Sequence, residues 1–162
     1  LRFGLNDLAR AAAEHGIDGC LLTDVSVEEA ETYVDAMRAQ SLDTVFLAAP
    51  TSTGERRKLV AKYSTGFVYL VSRTGVTGER ESFSDAAGVL VSDMRKVTDL
   101  PLAIGFGIST AKHVRAAGSI ADAVVVGSAI VRTIEENASS PDLEQRLERF
   151  AKELASGLPS KK

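Results

Sequence analysis

Pro101-Leu102-Ala103-Ile104-Gly105-Phe106-Gly107-Ile108-Ser109 and, further on, Ala123-Val124-Val125-Val126-Gly127-Ser128-Ala129-Ile130-Val131 decide the architecture. In each, an unbroken apolar run ends in glycine, and the second passes directly into a helical sequence. Continuous rather than alternating apolar residues indicate a strand buried on both faces, as in a parallel sheet covered by helices. Three earlier runs have the same character: Gly19-Cys20-Leu21-Leu22-Thr23-Asp24, Thr44-Val45-Phe46-Leu47-Ala48 and Phe67-Val68-Tyr69-Leu70-Val71.

Between the runs the period becomes helical. Asn6 to His15, rich in alanine and stopped at Gly16, reads as an opening helix. Ser26-Val27-Glu28-Glu29 has the Ser-x-x-Glu form of a capping box ahead of Tyr33, Val34 and Met37, and Ser52-Thr53-Gly54-Glu55 repeats it ahead of Leu59 and Val60. Ser140-Pro141 places a cap and a first-turn proline before a last helix expected over 141–156. The expected order is a helix, five β/α repeats and a final helix. It forms one domain over 1–158, with residues 157–162 looking untethered and a flexible tail at 159–162.

Five such units fit an open doubly wound sheet or part of an eight-stranded barrel, and the loops choose between them. Ligands of parallel α/β folds bind at the carboxyl ends of the strands. Here three of those loops are rich in glycine: Ser72-Arg73-Thr74-Gly75-Val76-Thr77-Gly78, Gly105-Phe106-Gly107-Ile108-Ser109 and Gly127-Ser128. Without a Cβ, backbone N–H groups can close on a phosphate, and the helix beginning at Ser128 adds the positive end of its dipole. One such glycine can be plain turn geometry. Three in successive loops, two of them after the last two strands, indicate the phosphate position of a (β/α)8 TIM barrel. The chain is therefore expected to be α/β, an incomplete barrel of about five parallel β/α units.

The long polar loop 73–84 has the composition of a lid that closes over substrate. Arg73 could orient that lid or a ligand, or be solvated. Asp24, ending a strand, could meet substrate polar groups or cap the neighbouring turn, and Tyr69 could offer its hydroxyl to a ligand or belong to the core. His15 suits a helix C-terminus, and His113 falls on a helix surface. No Cys/His cluster is present, so no metal is expected.

The 162 residues are 44% apolar and 25% charged with a net charge of -3, an ordinary globular balance that points to neither nucleic acid nor an anionic membrane. No apolar stretch approaches the roughly 20 residues that span a bilayer, and no N-terminal signal is visible. The single cysteine, Cys20, suits a reducing cytoplasm. The chain opens on Leu1 rather than methionine and reads as cut.

Four segments together resemble the alpha subunit of tryptophan synthase: Leu21-Leu22-Thr23-Asp24-Val25-Ser26-Val27-Glu28-Glu29, Tyr69-Leu70-Val71-Ser72-Arg73-Thr74-Gly75-Val76-Thr77-Gly78, Gly105-Phe106-Gly107-Ile108-Ser109 and Gly127-Ser128-Ala129-Ile130-Val131. The second is highly specific to that family; the last two are shared more loosely with other phosphate-binding barrels. The resemblance runs over 1–158 and implies a lyase that cleaves indole-3-glycerol phosphate to indole and glyceraldehyde 3-phosphate, with no cofactor of its own. The implied partner is the beta subunit, a pyridoxal-phosphate enzyme that receives the indole. By the same resemblance Gly78, Phe106, Gly107, Gly127 and Ser128 line the phosphate site, and Leu21 and Tyr69 lie in the substrate pocket. Thr77 is the lid residue closing toward a catalytic carboxylate, and Asp24 and Arg73 lie near the site and the beta interface. Ser26 stands where the family usually has proline.

The resemblance also implies that the five strands are the fourth to the eighth of the barrel. The family's catalytic glutamate and aspartate would then precede Leu1, so no catalytic residue is assigned and the chain alone is expected to be nearly inactive. Five strands cannot close a barrel of eight, so self-association through open sheet edges is expected. Two other readings stay open: a stand-alone module that binds phosphate esters and assembles with another chain, and a different phosphate-binding barrel such as a thiamine-phosphate synthase relative. The Ser-Arg-Thr-Gly-Val-Thr-Gly run argues against the latter.

Overall fold

The computed structural model of the chain describes residues 3–71, 82–105 and 107–158. Helix α1 (Leu5–Glu14) buries Ala9 and Ala12. It ends where the glycine directed: the Ile17 amide donates to the Ala12 carbonyl at 3.0 Å and the Gly16 amide to Ala13 at 3.1 Å. This is a Schellman closure, and it needs the left-handed backbone that Gly16 supplies at φ 72°. His15 donates from Nδ1 to the Ala11 carbonyl at 2.8 Å, tying its ring to the helix end.

All strand pairs are parallel, and each joins sequence neighbours. β1 (Gly19–Cys20) pairs with β2 (Asp43–Thr44), while β3 (Phe46–Ala48), β4 (Val68–Val71), β5 (Leu102–Gly105) and β6 (Ala123–Val125) form a four-stranded sheet in that order. Between them run a 3-10 turn (Val27–Glu29) and α2 (Glu31–Ala39), then α3 (Gly54–Tyr63), α4 (Ser82–Arg95), α5 (Ala111–Gly118), α6 (Ser128–Glu136) and α7 (Leu143–Ala155).

The five expected runs become six strands because the second is divided at Val45. Its amide still reaches back to Cys20, at 3.1 Å, so the two ladders meet at this residue. On the other side the Thr44 and Phe46 amides are taken by the hydroxyls of Thr65 (3.0 Å) and Ser64 (3.3 Å). Side chains thus substitute for a ladder that β4 begins only at Val68. The first run is shorter than expected, since 21–24 leave the sheet and enter a turn.

Two helix starts differ from the expected capping boxes. Ser26 precedes the 3-10 turn without capping it, and its hydroxyl donates instead to Glu28, which also accepts from Arg56 at 2.6 and 2.7 Å. The cap of α3 is Thr53, whose hydroxyl accepts from the Arg56 amide at 3.2 Å, while Ser52 accepts from Ala49. The last helix starts at Leu143 after Asp142, and Ser140 donates to that aspartate. The expected lid lies outside the described residues up to 81, and its last three residues, 82–84, already belong to α4. Gly157, expected to be untethered, is instead buried, and a Cβ there would overlap the Ala111 carbonyl of α5. Residues 159–162 lie outside the described set.

The core lies between sheet and helices. In β4, Val68 and Leu70 are wholly buried, whereas Tyr69 and Val71 on the opposite face are half-buried. Tyr33, Val34 and Met37 all face inward from α2, and the Tyr33 hydroxyl donates to the Cys20 carbonyl at 2.6 Å, holding the end of β1. Burial pushes that phenol up to about 12, with Cys20 adding to the shift.

At the amino ends of the strands a polar clamp joins three elements. The Asp122 amide donates to the Leu102 carbonyl (3.0 Å), and the Asp122 carboxylate accepts from the Leu102 amide (2.7 Å) and from Arg95. Arg95 also donates to the Leu100 carbonyl at 3.0 Å. The Leu102 amide, then Arg95, hold the Asp122 carboxyl below its ordinary range. A depressed carboxylate stabilises the fold above its unfolded-state value and loses that contribution as pH falls through the folded one. Asp122→Ala leaves the amide of fully buried Leu102 without its acceptor and should cost about 1–2 kcal/mol near neutral pH, the partial exposure of the carboxylate keeping the figure low. Urea unfolding of both proteins checks this, and the gap should narrow below about pH 4.

Candidate functional site

The site forms where β4, β5 and β6 deliver their carboxyl ends. β6 leads through Val126 to Gly127, and α6 begins at once. The amides of Ile130 (2.9 Å) and Val131 (3.2 Å) both turn back to the Gly127 carbonyl. Among the described residues the first two helical amides, those of Ser128 and Ala129, have no carbonyl behind them, and no side chain caps this helix. α5 differs, because Thr110 accepts from the His113 amide at 3.2 Å.

The loop after β5 is held at both ends. Gly107 takes φ 72°, a conformation that favours glycine. Ile108 next to it is 3% exposed and anchors the loop in the core, and Thr110 then starts α5. The Ser109 amide and hydroxyl lie 3.4 and 3.5 Å from His113 Nδ1, so this exposed histidine touches the loop rather than only solvent.

Tyr69 comes from the middle of β4 and lies across β5. Its hydroxyl sits over Gly105, where any Cβ would overlap it. Glycine at 105 is therefore a matter of close approach by the phenol. Burial raises the Tyr69 pKa, so the group stays protonated near neutral pH and can donate.

These pieces surround one cavity of about 200 Å³, lined by Tyr69, Gly107, Ser109, Gly127, Ser128 and Arg132 with three apolar neighbours, Ile108, Val125 and Ala129. Among its described lining residues, Arg132 alone is charged and none is a carboxylate or histidine. The arrangement offers amide donors, hydroxyls and one cation: a place for an anion. A second cavity of about 230 Å³ lies between α6 and α7, lined by Thr133, Asn137, Arg149 and Phe150 among others, and none of its lining residues lies in a carboxyl-end loop.

Four of the residues singled out in the sequence meet here: Tyr69, Gly107, Gly127 and Ser128. Arg73, Thr77, Gly78 and Phe106 lie outside the described residues. Leu21 and Asp24 sit on the turn after β1 and do not line this cavity. Leu21 is half-buried; Asp24 is exposed, with a 3.4 Å contact from the Thr23 hydroxyl and no helix that it caps. Ser109, Ala129 and Arg132 were not singled out. The signal for Arg132 was its spacing, four residues after Ser128 and so one turn along the same helix face. Among the described residues no group of three or more His, Cys, Asp or Glu could hold a metal, and no helix is long and apolar enough to cross a membrane.

Comparison with known proteins adds a second line of evidence. The family model described as tryptophan synthase alpha chain matches residues 1–158. The tryptophan synthase alpha chain of Solibacter usitatus is 65% identical over 157 residues, covering 97% of this chain and 59% of that protein. That of Methanosarcina mazei is 46% identical, covering 97% and 56%. Among solved structures, tryptophan synthase from Mycobacterium tuberculosis superposes with a TM-score of 0.84 at 36% identity over 97% of this chain and 58% of that one. The tryptophan synthase complex from Pyrococcus furiosus gives 0.80 at 31% identity, covering 95% and 61%. The chain thus spans a little under two thirds of the relatives it matches, and its parallel β/α units are those of their barrel. A family match over 1–158 and 65% identity to one member place it: the chain belongs to the tryptophan synthase alpha chain family.

Proposed function

We propose that the chain carries the phosphate-binding part of a tryptophan synthase alpha subunit, the lyase of tryptophan biosynthesis that cleaves indole-3-glycerol phosphate to indole and glyceraldehyde 3-phosphate. The observation that carries this reading is the convergence of Gly107, Gly127 and Ser128 on one cavity beneath the uncapped amides of α6, with Tyr69 on its wall. Amides fixed by a helix start stabilise a dianion without having to reorganise. In this reading Gly78 and Phe106 complete the phosphate site. Leu21 and Tyr69 face the rest of the substrate, and Arg73 and Thr77 belong to the segment that closes over it. Asp24, exposed on its turn, is assigned to the approach to the site and to the surface that meets a beta subunit. The reading includes a cytoplasmic setting and one folding unit to residue 158.

Carbon–carbon cleavage needs an acid at the indole ring and a base at the glycerol hydroxyl. No carboxylate or imidazole is among the described residues that line the cavity, and the phenol of Tyr69 holds its proton. Binding without proton transfer does not raise turnover.

Three measurements test the proposal. Gly127→Leu is the clean variant for binding: nothing lies within 4 Å of a Cβ at this position and its φ is -118°, whereas any side chain at Gly107 is strained. It should weaken glycerol 3-phosphate binding about tenfold or more in calorimetry while leaving the far-ultraviolet spectrum intact; unchanged affinity removes the assignment. Indole release by these 162 residues alone should fall about 10⁴-fold or more below a full-length relative, since acid and base groups each contribute roughly 10²–10⁴-fold. Release near the relative's rate would mean that a carboxylate of this chain does the work. Finally, among the described residues β1 pairs only with β2 and β6 only with β5, and α6 buries no residue, leaving Val131 and Ile134 exposed. The 162 residues by themselves should associate, and light scattering that finds a stable monomer contradicts this.

A further inference from the structure

We propose that Arg132 is the cation of the phosphate subsite, making it selective for phosphomonoester dianions over monoanions; the inference rests on the phosphate reading above. Arg132 follows Ser128 by four residues on α6 and lines the same cavity. Helical side chains lean toward the N-terminus, so a residue one turn along reaches back over the first turn, toward the amides of Ser128 and Ala129. Its guanidinium has no ion pair or hydrogen bond among the described residues, whereas Arg56, Arg57, Arg95 and Arg146 are each committed to a carboxylate. Arg115 and Arg149 also lack a carboxylate partner there, but neither lines this cavity.

The charge balance explains why such a residue matters. A helix start offers roughly half a positive charge, while a phosphomonoester above its second pKa of about 6 carries nearly two negative ones. With no carboxylate among the described lining residues, one guanidinium brings the site close to a match for a dianion. Its planar fork can also grip two phosphate oxygens together, which a lysine cannot do.

The test is calorimetric titration of the full chain with glycerol 3-phosphate at low ionic strength, at about pH 7.5 and about pH 5.5, for the wild type, Arg132→Gln, Arg132→Lys and Gly127→Leu. Arg132→Gln should bind about five- to tenfold more weakly at the higher pH, the modest factor reflecting an exposed cation. Arg132→Lys should recover part of the loss, and the gain in affinity from low to high pH should shrink in Arg132→Gln. Added salt should erode wild-type binding more than that of Arg132→Gln, a comparison that a loss of folded protein cannot imitate. If Gly127→Leu abolishes binding while Arg132→Gln matches the wild type within twofold, Arg132 is a bystander and the phosphate reading stands. If the wild type binds no glycerol 3-phosphate at millimolar concentration, both fall.

Discussion

The packing of Val68 and Leu70 from β4, with Leu102 and Ile104 from β5, against the helix layer is the contact on which the remaining geometry rests. Register places Val68 beside Leu102 and Leu70 beside Ile104, so the four form one continuous patch on one face of the sheet. All are essentially without exposure, in a cluster that includes Val60 of α3, Leu90 and Met94 of α4, and Val114 of α5. Each such side chain is worth roughly 1.5–3 kcal/mol on burial. Strand alternation then settles the opposite face. Once Val68 and Leu70 turn to the helices, Tyr69 and Val71 must turn away from them, and Tyr69 arrives over Gly105 at the wall of the cavity.

The two ends of the strands carry different kinds of polar group. At the amino ends, Asp122, Arg95 and the Leu102 amide satisfy one another, as do Asp43 and Thr65. At the carboxyl ends the balance is reversed: two amides of α6 and the guanidinium of Arg132 are without partners among the described residues, around a cavity with no carboxylate among its described lining. Groups committed to one another and groups left open to a ligand thus lie at opposite ends of the same strands, the division common to barrels of this kind.

Much of this could be read from residue order. Continuous apolar runs marked the sheet, because a strand hidden on both faces has no reason to alternate, and glycine after the last two runs marked the loops that meet around the cavity. What could not be read depended on partners distant in sequence. The division at Val45 arises from the hydroxyls of Ser64 and Thr65, about twenty residues on. Ser26 and Ser52 had the right spacing for capping boxes, but Glu28 and the Ala49 amide compete for their hydroxyls. Asp24 looked like a strand-end carboxylate only because Leu21 and Leu22 extend the apolar run beyond the two residues that pair. Arg132 was missed for a plainer reason: an arginine on a helix ordinarily faces water, and only the fold puts the start of α6 beside the loop from β5.

The burial of Gly157 has a consequence for how the site is inherited along the chain. This glycine closes the end of α7 onto Ala111, the first residue of α5, with Val114 one turn further on. Two residues before Ala111 lies Ser109, part of the cavity wall. Gly157 therefore acts as a keystone for a loop laid down about fifty residues earlier. A chain growing from its amino end would have all six strands in hand before Gly157 arrived to back this loop.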